Sequence, residues 1–156
     1  MTGLQAHFRS LLQECEQHER VLKKAAGIID RLGPITGEKL DHLTDDELAY
    51  LDQFVYRYCR LQDTLGARLL PKLLQAAVEP IAENASYLDQ LDHLERIGVV
   101  RSCDEWREVR GARNRFSHDY PETEQRAENL RYAKKTSALL FDTMDRVRDF
   151  ATRARL

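Results

Sequence analysis

Leu4, Phe8, Leu11, Cys15, Leu22, Ala25, Ile29 and Leu32 follow one another at steps of four and three, with polar His18 filling the step between Cys15 and Leu22. Steps of that size keep returning to one side of a 3.6-residue helix, whereas a strand would need a period of two. The stretch therefore predicts an amphipathic helix of about nine turns. The same rhythm recurs at Leu48, Leu51, Val55, Tyr58, Leu65 and Leu69, widened by Phe54 and Leu61, and again at Tyr87, Leu88, Leu91, Leu94 and Ile97. It returns at Trp106, Val109, Arg113 and Phe116, and finally at Leu130, Ala133, Ser137, Leu140, Met144, Val147, Ala151 and Ala154. No stretch alternates over strand length, and there is no internal repeat or low-complexity segment. Long amphipathic helices joined by short connections predict an all-α, up-and-down bundle of four to five helices, with residues 1–156 as a single domain.

Punctuation residues set the expected boundaries. Gly33-Pro34 stops the first helix, because glycine accepts the left-handed cap and proline cannot continue the hydrogen-bond ladder. Residues 34–43 then read as a loop. Thr44-Asp45-Asp46-Glu47 and Ser102-Cys103-Asp104-Glu105 both have the form of a capping box. Pro71 predicts a bend near Leu70 with a short continuation to Val78, and residues 80–86 a connection, with Gly98 ending the next helix. The last helix begins at about Glu122.

At 156 residues the chain can bury a sizeable core without staples. The cysteines, Cys15, Cys59 and Cys103, lack the spacing of a disulfide framework or a zinc site and read as small core residues in a reducing cytoplasm. Cys15-x-x-His18 has no second pair to complete a metal site, and no metal or cofactor is expected. The apolar runs are too short to span a bilayer, so a soluble cytoplasmic protein without membrane contact is expected. Net charge is −2, which argues against a chain that coats nucleic acid through a broad positive field. Yet residues 107–118 carry four arginines (107, 110, 113, 115) against the single acid Glu108. A local island of this kind suits docking of a few phosphates.

Within that island lies Arg113-Asn114-Arg115-Phe116-Ser117-His118-Asp119-Tyr120. Arginine stays charged and presents a planar fork to phosphate oxygens, and histidine, with an ordinary pKa of about 6.5, exchanges protons near neutrality. Five residues apart, Arg113 and His118 stand about 500° around an ideal helix and share no face of it. They converge only if the chain leaves helical geometry between them. Ser117, Asp119 and Pro121 favour an exit near Ser117, with Arg113 in the last turn and His118 on the emerging loop.

The pattern Arg113-Asn114-x-x-x-His118-x-Tyr120 resembles that of the HEPN superfamily, in particular its HepT-like toxin branch, and Leu61-Gln62-Asp63-Thr64-Leu65-Gly66 is similar to that branch as well. The resemblance implies a HEPN-like homodimer whose two motifs face one cleft, and a metal-independent endoribonuclease serving as the toxin of a type VII-like toxin–antitoxin pair. Arg113, Asn114 and His118 are then the catalytic residues, with Arg110 and Arg115 binding RNA phosphate. It also implies a partner nucleotidyltransferase antitoxin that silences the toxin by AMPylating Tyr120. Negative charge two residues from His118 would repel the phosphate that must bind there.

Two other readings compete. In one the bundle is a noncatalytic binding module that partners a nucleotidyltransferase or presents a substrate to it. In the other it is a structural helical dimer whose arginines pair with Glu105 and Glu108. Asp89, Asp92 and His93 read as a solvated face, Trp106 and Met144 as core; Asp52 and Asp63 could approach the cleft but sequence alone does not place them.

Overall fold

The computed structural model describes residues 2–118 and 122–156, and among these every regular element is helical. The elements are α1 (Gly3–Arg31), α2 (Gly37–Asp41), α3 (Asp45–Thr64), a π-helical turn (Leu65–Leu69), α4 (Leu70–Ala76), α5 (Tyr87–Arg96), α6 (Cys103–Arg115) and α7 (Thr123–Arg153). Side-chain pairs fix the directions. Arg9 meets the carbonyl of Leu156, Arg148 meets Glu19 and Lys134 meets Asp30, so α1 and α7 run antiparallel. His18 meets Arg57 and Glu14 meets Arg60, with Arg68 of the π-helical turn also reaching Glu14, which sets α3 antiparallel to α1 as well. α6 packs along α7 and against α3, completing an up-and-down arrangement of four long helices flanked by the short α2 and α5.

The stripes converge on one core. Phe8, Leu11, Cys15 and Leu22 of α1, Leu51, Phe54, Tyr58 and Leu61 of α3, Trp106 and Val109 of α6, and Leu140, Met144 and Val147 of α7 are all buried. Burial of each large apolar side chain contributes about 1.5–3 kcal/mol. Tyr58 matters most for the site. Its ring is fully buried, and its hydroxyl bonds to Thr136 Oγ1 at 2.7 Å and donates to the Val109 carbonyl at 3.3 Å, tying α3 to α7 and α6. Burial raises the Tyr58 pKa well above the ordinary phenol value, so the hydroxyl keeps its proton.

Several boundaries follow the sequence. Thr44 caps α3 with the reciprocal Glu47 bond, Gly33 adopts φ +82° after α1, and α7 starts directly after Glu122. Others differ. The stretch between α1 and α3 is not all loop: Thr36 caps the five-residue α2, whose Gly37 N–H donates to Glu124 Oε2 at 2.8 Å. The capping box at Ser102 is only half formed. Ser102 Oγ accepts from the Glu105 amide, but the Glu105 carboxylate is taken by Arg101 at 2.7 and 2.9 Å.

The irregularity expected around Pro71 takes the form of a π-helical turn, and α4 continues from Leu70 only to Ala76. The ladder widens across Leu65–Leu69, where Leu70 N–H reaches back to the Leu65 carbonyl. Proline has no N–H and its ring crowds the carbonyl four residues before it, and the wider turn relieves both. Of the cysteines only Cys15 is fully buried. His93 is drawn out of the expected solvated face by Glu79 at 3.0 Å, and Asp89 completes a capping box with Ser86. No described helix is long and apolar enough to cross a membrane.

Candidate functional site

The end of α6 is built to change direction. Phe116 N–H bonds to the Arg113 carbonyl and Ser117 N–H to the Asn114 carbonyl, each at 3.1 Å, tightening the last turn from four-residue to three-residue spacing. Phe116 meets the Tyr58 ring edge-on, 6.1 Å between centroids at 76°, which anchors the exit to the core. Arg113 thus occupies the last turn and His118 lies beyond it. Asp119, Tyr120 and Pro121 lie outside the described residues, and the modification site expected at Tyr120 with them.

Arg113 and His118 line one groove of about 720 Å³ between α3, the end of α6 and the start of α7. Arg115 lines it too. From α3 come Asp52, Arg60 and Asp63, and from α7 Arg126, so four arginines face two aspartates. Arg126 stands 3.7 Å from Asp52, and both are well exposed, leaving the groove electropositive near α6. Cys59 also faces the groove; burial raises its thiol pKa and outweighs the nearby Arg113 charge, which leaves it a thiol and a poor nucleophile.

Arg113 is held by three side-chain hydrogen bonds. Asp63 grips it through Nε at 2.9 Å and Nη2 at 3.0 Å, and Nη1 donates to Ser117 Oγ at 3.2 Å. The two-point contact fixes the guanidinium plane and raises the Arg113 pKa further, chiefly through the Asp63 hydrogen bond. Asp63, fifty residues away in the sequence, is the positioning residue that helix periodicity cannot link to Arg113. Its only sequence signal is membership of the stretch 61–66.

A second groove, of about 700 Å³, lies on the other side of that ion pair. It shares Asp63 and Arg113 with the first and is completed by Tyr87, Gln90, Arg110, Asn114 and Ser117. The expected site residues therefore divide: Arg115 and His118 face one groove, Arg110 and Asn114 the other, and Arg113 faces both. Arg110 lies over the Tyr87 ring, 5.4 Å from its centroid, and Arg115 over the Tyr132 ring at 4.3 Å. Neither Glu105 nor Glu108 pairs with Arg110, Arg113 or Arg115 in the contacts observed; Glu105 serves Arg101 instead.

Gly66 keeps the grooves in register. A Cβ there would lie 2.8 Å from Trp106 Cζ2 and 3.2 Å from the Tyr87 hydroxyl, which itself accepts from Trp106 Nε1 at 2.9 Å. Only a glycine lets the π-helical turn approach α6 this closely.

Of groups that can ligate a metal, Asp92, Glu95 and Cys103 come together at the junction of α5 and α6, apart from both grooves. Glu95 Oε1 accepts from the Cys103 amide and so caps α6. The thiol pKa is pushed up to about 11 by partial burial and by the Glu95 charge, and the thiol donates weakly to both carboxylates. Comparison of the chain with protein-family models, with curated proteins and with solved structures found no match.

Proposed function

We propose that this protein is a metal-independent endoribonuclease of the HEPN type. The observation that carries the reading is the groove in which Arg113, held in plane by Asp63, stands with Arg115 and His118 where α6 gives way to the following chain. In the proposed reaction His118 accepts the proton of a ribose 2′-hydroxyl as that oxygen attacks the adjacent phosphorus. The new O2′–P bond forms as the P–O5′ bond breaks, and the departing 5′-oxygen takes a proton from water. Arg113 stabilises the charge that grows on the phosphoryl oxygens, an electrostatic contribution commonly worth about 3 kcal/mol. The products are a 2′,3′-cyclic phosphate and a 5′-hydroxyl, and DNA, lacking the attacking oxygen, is not cut.

The wider proposal is that of a type VII-like toxin acting in the cytoplasm as a homodimer, silenced when a nucleotidyltransferase antitoxin AMPylates Tyr120. This part rests on the resemblance of the motif. The test is cleavage of cellular RNA by purified protein in excess chelator, with analysis of product ends. Cleavage that vanishes in Arg113→Ala and His118→Ala, both still folded, supports the reading; equal cleavage by all three proteins refutes it.

One observation favours the noncatalytic module. Asp63 occupies two of the three nitrogens of Arg113, and Ser117 the third. Under that reading the bundle binds a nucleotidyltransferase in a pull-down with purified components, and RNA survives undamaged.

A further inference from the structure

Three arginines of the last turns of α6 are held in two different ways. Arg113 is gripped edge-on by a carboxylate, while Arg110, lining one groove with Tyr87, and Arg115, lining the other, each lie over a tyrosine ring, with the Arg113–Asp63 pair shared by both grooves. A ring beneath an arginine leaves its N–H edge free for phosphate and covers one of its two faces. A guanidinium seated on an aromatic face is preorganised: its plane is defined, its inner side is covered, and its outer side is available for stacking. Arg110 is exposed and Arg115 half-buried, so both remain reachable from the grooves.

We propose that Arg110 on Tyr87 and Arg115 on Tyr132 are stacking platforms for the two bases that flank the phosphate bound at Arg113. This rests on the ribonuclease reading of the Arg113–His118 groove and assigns Arg110 and Arg115 a role beyond charge. Bases splayed to either side of a phosphate must be unstacked from one another, a state open to single strands and loops and closed to a duplex. The second groove also offers the amides of Gln90 and Asn114, which can donate to and accept from a base edge. Pulling the two nucleosides apart has a chemical use, because the 2′-oxygen, phosphorus and 5′-oxygen must come into line for attack.

Lysine discriminates a platform from a phosphate contact, since it keeps the charge and loses the plane. The probe is a fluorescein-labelled 2′-O-methyl RNA hexamer, which cannot be cleaved because its attacking oxygen is blocked, used single-stranded and as a duplex. Fluorescence anisotropy over a salt series gives affinity and the number of phosphate contacts for the wild type, Arg110→Lys and Arg115→Lys, each checked for an unchanged melting temperature.

Each lysine variant should weaken single-strand binding by about fivefold or more, the range of one base stack, with an unaltered salt slope. The duplex should bind more weakly than the single strand. Lysine variants that bind as tightly as the wild type, or a duplex that binds equally well, overturn the platforms. Unmodified hexamer is assayed for cleavage in parallel. Cleavage with no lysine effect discards the platforms and leaves the nuclease; a lysine effect on binding with no cleavage discards the nuclease and leaves the platforms. A wild type that neither binds nor cleaves discards both.

Discussion

Removing the Asp63 carboxylate separates catalysis from stability. Asp63 is 45% exposed and Arg113 26% exposed at the side chain, so water screens much of their attraction. Exposed ion pairs contribute about 0.2–1 kcal/mol, and the two-point geometry puts this one near the upper end. Asp63→Ala should therefore lower stability by about 1 kcal/mol and the melting temperature by about 2–4 °C. Its effect on the proposed reaction is larger. The guanidinium stays in the groove but loses the contact that fixes its plane, and misplacement by about 1 Å can cost a factor of about 100. We expect kcat for RNA cleavage to fall by about 10- to 100-fold, against about 100- to 1,000-fold for Arg113→Ala, which deletes the charge altogether. KM should not rise, because the variant removes a negative charge from the site proposed to receive phosphate. Asp63→Asn, which keeps one acceptor for Arg113, should fall between wild type and Asp63→Ala. Steady-state cleavage of a defined RNA, run beside a thermal melt, reads both quantities. An unchanged kcat, or a rise in KM alone, refutes the positioning role, and a stability loss of several kcal/mol would make Asp63 a structural residue.

Gly66→Ala should cost about 1–3 kcal/mol by overpacking against Trp106, seen as a shift of the urea midpoint; a neutral effect would mean α6 can retreat from the π-helical turn. Val78 sits at φ +55° just past α4 and is 85% exposed, so Val78→Gly relieves left-handed strain without losing burial. It should raise stability by about 1 kcal/mol in the same titration, and a destabilised variant would contradict the assignment of strain. His18 is buried and accepts from Arg57 through Nδ1 at 2.8 Å, with Glu14 3.9 Å from Nε2. Burial first, and then the Arg57 and Arg60 charges, hold its pKa below the ordinary value, so the unfolded chain takes up this proton before the folded one does. The stability it contributes is present above the ordinary histidine pKa of about 6.5 and is lost as pH falls through the lower folded value. His18→Gln keeps an acceptor for Arg57 and does not titrate; its stability should fall less than the wild type's between about pH 7 and pH 5, and parallel curves would rule His18 out as a source of acid lability.

Periodicity and caps made the long helices legible because each is a local property of a few consecutive residues. Thr44 with Glu47, and Gly33 after α1, needed nothing from the rest of the chain. α2 escaped because five residues make no periodic signal and because its first amide is satisfied by Glu124, far along the chain. The capping box at Ser102 stayed half formed for a similar reason: Ser102 caps the helix, but Arg101 outcompetes the backbone amide for Glu105. The exit from α6 was readable from Ser117 and the residues after it, and so were the arginine and histidine it brings to one groove. The partition of Arg110 and Asn114 into another groove, and the grip of Asp63 on Arg113, depend on how α3 and α6 are set against each other. No spacing within either helix encodes that setting.

The widened turn at Leu65–Leu69 has a geometric corollary. A regular helix advances about 100° per residue, so one surplus residue offsets everything before it from everything after it by about that angle. Upstream, Asp63 points across to α6; downstream, Leu70 and Leu73 point into the core. The same residues wound evenly would turn one end by about that angle relative to the other and could satisfy only one of those orientations. The irregular turn is thus a phase shifter that keeps Asp63 on the groove while Leu70 and Leu73, on the same continuous rod, stay in the hydrophobic interior.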